Sequence, residues 1–232
     1  MALLNLVKPF VPKRVKSAVK HITGRDKYDW EFNWQAGVWL PLWRKPEVQA
    51  KGLEYWKRFR HLDEITGMMK LNEASRVLDV GCGLCSVLHY LPGKRVGIDP
   101  IARRYAEVYQ YPFPVVDAPG ERVPFEPNSF DAVFCSNCID HTSKPQKVIS
   151  EIFRVLVPGG YFALTCEVFN EDLGKRNAGH PHSMTADTLV GLVSRFVILE
   201  HWESPWYGLY NYTQGNPPLD QTEHILLLRK RA

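Results

Sequence analysis

The chain has 232 residues, 45% hydrophobic and 23% charged, with 5 cysteines and 7 tryptophans. At roughly 150 residues per domain this is one full domain with an extension, and the balance excludes disordered, collagen-like and coiled-coil chains. The net charge of +4 is uneven: residues 1–25 carry Lys8, Lys13, Arg14, Lys16, Lys20 and Arg25 and no acid, so the body is slightly acidic and is not a basic nucleic-acid binder.

Residues 1–27 read as a basic arm. From Pro12 onward Val15, Ala18, Val19 and Ile22 recur at helical spacing with lysines between them, which predicts an amphipathic helix over 12–22. Such a helix either lies on an anionic membrane surface or packs on the domain. No apolar run reaches the roughly 18 residues of a membrane span, and the start is too early interrupted for a secretory signal. An odd number of cysteines in a chain of this size points to a reducing compartment, and the expected location is the cytoplasm.

Residues 28–70 are crowded with aromatics (Tyr28, Trp30, Phe32, Trp34, Trp39, Trp43, Tyr55, Trp56, Phe59), and a second group (Trp202, Trp206, Tyr207, Tyr210, Tyr212) follows late in the chain. No tryptophan falls in 71–201. That segregation predicts a helical, aromatic-rich cap built from both ends of the chain, with some rings lining a substrate surface.

The centre alternates apolar strand runs with helical patterns. Strands are expected at Arg76–Asp79, Arg95–Asp99, Val115–Asp117, Asp131–Ser136, Tyr161–Cys166, Val197–Trp202 and Glu223–Arg229. Helices are expected at Cys85–Tyr90, Ile101–Gln110, Lys144–Leu156 and Thr185–Phe196. Such alternation predicts an α/β fold, a Rossmann-like, doubly wound and mostly parallel sheet. Pro158-Gly159-Gly160 reads as a helix stop followed by a sharp turn.

The run RVLDVGCGLC at 76–85 is a buried strand entering a glycine turn. Gly81 and Gly83 allow a tight backbone turn and close approach of a ligand. The second strand ends in Asp99, placed to accept hydrogen bonds from both hydroxyls of a ribose. Together these imply an adenosine-containing cofactor. A dinucleotide site prefers a third small residue, and here Gly81-Cys82-Gly83-Leu84-Cys85-Ser86 lacks that glycine. Asp79 instead precedes the loop, which suits a ligand carrying an ammonium and a sulfonium.

In order, the chain shows VLDVGCG (77–83), GIDP (97–100), VVDAPGERVPFEPNSFDAVFCSNCIDH (115–141) and EIFRVLVPGGYFALT (151–165). This set resembles the class I S-adenosylmethionine-dependent methyltransferases, close to their type 11 branch. The resemblance implies a seven-stranded sheet with an antiparallel last strand, and S-adenosylmethionine as cofactor. It places Asp79, Gly81 and Gly83, with Cys82 in the same loop, at the methionine half. It places Asp99 at the ribose, Pro100, Asp117 and Ala118 at the adenine, and Asn137 at the reacting end. Two departures are Cys85 in the loop and the longer PGER spacer (119–122). The domain division is then a basic arm (1–27), an aromatic-rich helical cap segment (28–70) and the cofactor-binding domain (71–232).

Two CxxC pairs, Cys82–Cys85 and Cys135–Cys138, invite a zinc reading, but 49 residues separate them, far more than in a zinc ribbon, and no metal is expected. His141, beside Asp140 after the fourth strand, is the candidate general base; His180 and His182 lie on an expected lid. The expected activity is methylation of a small or lipid-linked acceptor, first a sugar or glycolipid hydroxyl. C-methylation of an isoprenoid quinone is the alternative within the fold. An RNA methyltransferase, a nicotinamide-dependent oxidoreductase and a non-catalytic cofactor-binding module are rivals outside it.

Overall fold

Seven apolar runs become strands in chain order: β1 (Arg76–Val80), β2 (Lys94–Asp99), β3 (Val115–Asp117), β4 (Phe130–Ser136), β5 (Leu156–Val168), β6 (Phe196–Pro205) and β7 (Thr222–Lys230). The computed structural model describes residues 37–57, 61–170, 181–205, 208–215 and 222–231. The basic arm with its expected 12–22 helix, and His180, lie outside the described residues, as do Trp206 and Tyr207. A helical run at 37–43 leads into α1 (Pro46–Lys57) and α2 (Leu62–Met69). The remaining helices are α3 (Ala102–Tyr105), α4 (Pro145–Val155), α5 (Ala186–Leu192) and α6 (Leu209–Gln214).

The strands form one sheet in the order β3-β2-β1-β4-β5-β7-β6. All pairings are parallel up to β5, and β7 runs antiparallel to both β5 and β6. The strand order reverses between β1 and β4, so the loops leaving their carboxyl ends diverge and open a crevice there. One sheet face buries Leu78, Val133, Phe162 and Leu226 against α4 and α5. The other buries Val77, Phe134, Ala163 and Leu227 under α1, α2 and the 3-10 turn at Val87–Tyr90. Helix α4 forms where Val148, Ile149, Ile152 and Val155 share one buried face, and Pro145 starts it.

Several boundaries differ from the sequence expectation. The helix expected over Cys85–Tyr90 shortens to the 3-10 turn Val87–Tyr90, capped by the Ser86 hydroxyl accepting from the Leu88 N–H. Only Ala102–Tyr105 of the Ile101–Gln110 pattern is α-helical. The Pro158-Gly159-Gly160 turn is instead part of β5, which begins directly after α4 and carries a register shift opposite Phe130–Ala132. Gly159 takes φ +75°, and a side chain on Gly160 would meet the Val157 and Asp131 carbonyls at 3.0 and 3.1 Å, so the glycines let an irregular strand start pass close to its neighbour.

Helix α1 and the turn after it meet β6 and α6 on one side. The Lys51 ammonium donates to the Thr213 carbonyl (3.3 Å), Tyr55 lies against Tyr212 and His61 stacks on Trp202 with ring centroids 4.5 Å apart. Trp43 is fully buried, and its ring fills the space beside Gly52, where any side chain would meet it at 2.2 Å. Among the described residues no helix is long and apolar enough to cross a membrane.

Candidate cofactor and methyl-transfer site

The loop after β1 turns through two left-handed glycines, Gly81 at φ +72° and Gly83 at φ +53°. A side chain on Gly81 would run into Cys138 at 2.6 Å, whereas one on Gly83 would meet nothing within 4 Å. Gly81 is therefore demanded by packing against the β4 loop, and Gly83 borders open space on the crevice side. Cys82 points inward, buried against Gly97 of β2, and burial pushes its thiol pKa well up. Its side chain is a packing element of the loop; only its backbone lies on the loop's course.

Asp79, at the end of β1, is 2% exposed. Its Oδ2 accepts from the Ser86 hydroxyl at 2.6 Å, while Oδ1 has no hydrogen-bond partner among the described residues. Burial pushes its pKa to about 7, the Ser86 hydrogen bond opposes this, and the neighbouring Asp99 charge adds to it. An orphaned, buried carboxylate oxygen is costly unless something completes it. A ligand ammonium fits that need.

The Asp99 carboxylate is held at the tip of β2 by two backbone donors, Gly83 N–H on Oδ2 (3.0 Å) and Ile101 N–H on Oδ1 (2.9 Å). Pro100 follows it, half-buried. Ala118 is fully buried after β3, and its N–H donates to the Asp99 carbonyl at 3.1 Å, which ties the third strand's end to the second. Asp117 pairs with Arg103 of α3 at 2.8 Å; burial raises its pKa and Arg103 lowers it, with burial prevailing. The PGER spacer forms a 3-10 turn at Gly120–Arg122, and Gly120 nestles against Val80 and Val148 where a side chain would be at 3.0 to 3.3 Å. The longer spacer thus packs under the site.

Asn137 leaves β4 in the left-handed region at φ +48°, its N–H donating to the Thr165 carbonyl at 2.9 Å. That kink turns the chain into the 3-10 turn Ile139–His141. Asp140 there is 2% exposed; its Oδ1 accepts no hydrogen bond among the described residues and lies 3.8 Å from His141 Nε2. His182 reaches the same turn, with Nε2 3.1 Å from the Thr142 carbonyl.

The structure thus brings Asp79, Gly81, Gly83, Asp99, Pro100, Asp117, Ala118 and Asn137 to the carboxyl ends of four adjacent strands. Tyr111, which spacing alone does not single out, donates to the Gly83 carbonyl at 2.6 Å and packs with Tyr109 and Phe113. Ser86 and Arg103 are two more partners not singled out; for Ser86 the visible signal is a serine before the apolar run VLHY. The cysteines do not assemble across the two CxxC pairs. Cys85 donates to the Gly52 carbonyl of α1, and Cys135 is disulfide-bonded to Cys138, where free thiols are expected of a reducing compartment. A three-residue separation at the turn after β4 brings that pair together.

Residues 78–164 match the family described as "Methyltransferase domain". The central domain belongs to the class I S-adenosylmethionine-dependent methyltransferases. S-adenosylmethionine is the cofactor of that family, and the unpartnered Asp79 oxygen and the open space at Gly83 fit it. The chain is similar to a sterol 24-C-methyltransferase of Candida albicans, 28% identical over 163 residues, which covers 65% of this chain and 42% of the relative. It is also similar to a malonyl-[acyl-carrier protein] O-methyltransferase of a Marinomonas species, 28% identical over 149 residues, 56% of this chain and 54% of the relative. The chain therefore spans about two-fifths to about half the length of these relatives. Among solved structures the [4+2]-cyclase SpnF superposes with a TM-score of 0.57 at 22% identity, over 73% of this chain and 79% of that one. That likeness establishes the fold.

Proposed function

We propose that this methyltransferase domain serves a whole protein that methylates a lipid-linked or small acceptor, first a sugar or glycolipid hydroxyl. The observation that carries the cofactor half is Asp79, whose buried Oδ1 lacks a partner beside a glycine loop that is open at Gly83. When bound, S-adenosylmethionine supplies a methyl group on a sulfonium that is already electrophilic. The residues' task is alignment, which contributes up to about 7–11 kcal/mol of barrier lowering. Asp79 holds the ammonium, Gly81, Cys82 and Gly83 shape the loop with their backbone, and Asp99 accepts from the ribose hydroxyls. Pro100, Asp117 and Ala118 border the adenine.

In this reading His141 takes the proton that the acceptor hydroxyl gives up as its oxygen bonds to the methyl carbon and the carbon–sulfur bond breaks. Asp140, buried 3.8 Å away, steadies the resulting imidazolium. Residues 28–70 cap the acceptor side, and the arm at 1–27 rests on the membrane surface where a lipid-linked acceptor resides. A second reading, C-methylation of an isoprenoid such as a quinone, is supported by the name of the sterol relative.

The test is transfer of labelled methyl from S-adenosylmethionine to a polyisoprenoid-linked sugar, a quinone precursor and a sterol, with the product's methyl position read by mass spectrometry. Methyl on oxygen, lost in His141→Ala and shifted in pH profile by Asp140→Asn, supports the first reading. Methyl on carbon supports the second. Tight cofactor binding with no transfer to any lipid-linked acceptor contradicts both.

A further inference from the structure

On the far side of the sheet, away from the glycine loop, β6 and β7 bring two imidazoles and a carboxylate together. His201 and Glu203 are two residues apart on β6 and so share one face, and His224 stands directly opposite Glu203 on β7. His201 Nε2 and His224 Nδ1 are 2.8 Å apart, and His224 Nε2 lies 3.9 Å from Glu203 Oε1. One ligand atom from each of the three lies within 4.8 Å of the others. We infer that His201, Glu203 and His224 form a binding site for a divalent ion of the zinc group, bridging the edge strand β6 to β7.

The donor set suits such an ion. Neutral imidazole and carboxylate are ligands for zinc, nickel and copper, whereas a hard magnesium or calcium ion asks for oxygen alone. His224 is 5% exposed and anchors the cluster from within the sheet, while the exposed His201 and Glu203 close it from outside. Ligand atoms around tetrahedral zinc stand about 3.3 Å apart, given bonds of about 2.0–2.1 Å. The two imidazoles need open by about 0.5 Å and the widest ligand pair close by up to about 1.5 Å, movements the exposed Glu203 and His201 side chains can make on a backbone fixed by the ladder. Three protein ligands leave at least one position for water. Strands β7 and β6 lie three and four positions from β1 in the sheet, and the two CxxC pairs contribute none of the three ligands.

The test uses the full chain, stripped with a chelator and titrated with cobalt(II), followed by competition with zinc. The expected result is one equivalent of bound ion with visible cobalt bands of nitrogen and oxygen ligation and a raised melting temperature. His201→Ala, an exposed position that leaves the core intact, weakens binding at least about tenfold, and Glu203→Gln weakens it less. S-adenosylmethionine affinity stays unchanged in both. Equal affinity in wild type and His201→Ala, or a sulfur charge-transfer band that places the ion on cysteine, overturns the assignment.

Discussion

The glycine loop at 79–83 and helix α1, which packs on Cys85 and the 3-10 turn just beyond that loop, are held by opposite logic. The loop is local: Gly81 and Gly83 turn it, and Asp99 sixteen residues later clasps the Gly83 N–H. Helix α1 is held from far along the chain. Its Gly52 carbonyl accepts from Cys85, its Leu53 carbonyl accepts from Tyr90 at 2.6 Å, and Lys51 reaches Thr213 across 162 residues of sequence. The difference teaches that the glycine loop carries its own geometry, while α1 borrows its position from residues far along the chain.

The largest expected effect breaks the cap. Trp43→Ala removes a fully buried ring from between Gly52 and Tyr109 and is expected to cost about 3–5 kcal/mol in denaturant unfolding. An unchanged midpoint means the cap is not packed on the domain through this ring. Next is the loop: Asp99→Ala should weaken S-adenosylmethionine binding by roughly 10- to 150-fold, about 1.5–3 kcal/mol for lost hydrogen bonds to a charged group, with little effect on the cap. Gly52→Ala forces a methyl into the Trp43 ring and should cost about 1–3 kcal/mol of stability, read as a lower melting temperature.

A smaller effect separates the two regions by pH. Asp79 titrates near 7 in the free protein because it is buried, so its affinity for a cationic ligand should rise as pH rises through 7. Below that, binding should weaken by up to about tenfold per unit, and Asp79→Asn should flatten the dependence. The same raised pKa makes the free protein's stability contribution from this group greatest below about pH 4 and lost as pH climbs toward 7. The smallest effect is Tyr111→Phe, which frees the Gly83 carbonyl and should weaken cofactor binding by about fivefold, near 1 kcal/mol.

How legible each region is in the sequence follows from the same contrast. Strands β1 to β4 announce themselves as apolar runs that end in Asp or Ser or run into Gly81, and the candidate cofactor residues stand at those ends. Positive φ at Gly81 and Gly83 is a property of glycine itself, so the loop reads directly. Asp79 reads as a carboxylate beside the loop, but its orphaned oxygen does not, because that depends on Ser86 satisfying only one side. Gly52 carries no signal of its own in the sequence, and only the folded contact shows it as the slot for Trp43. Likewise Pro158-Gly159-Gly160 reads as a turn, yet the pairing of β5 with β4 and β7 draws it into the ladder. The metal-type cluster is illegible for a related reason: His201 and His224 are 23 residues apart and meet only through antiparallel register.

The decisive experiment is calorimetric titration of the purified chain with S-adenosylmethionine and with its demethylated product, using a nicotinamide dinucleotide as control. Micromolar binding of the first two, lost in Asp99→Ala and strengthened as pH rises through 7, is the expected result. Binding of the dinucleotide alone, or of none of the three, would contradict the assignment of this loop to a sulfonium cofactor.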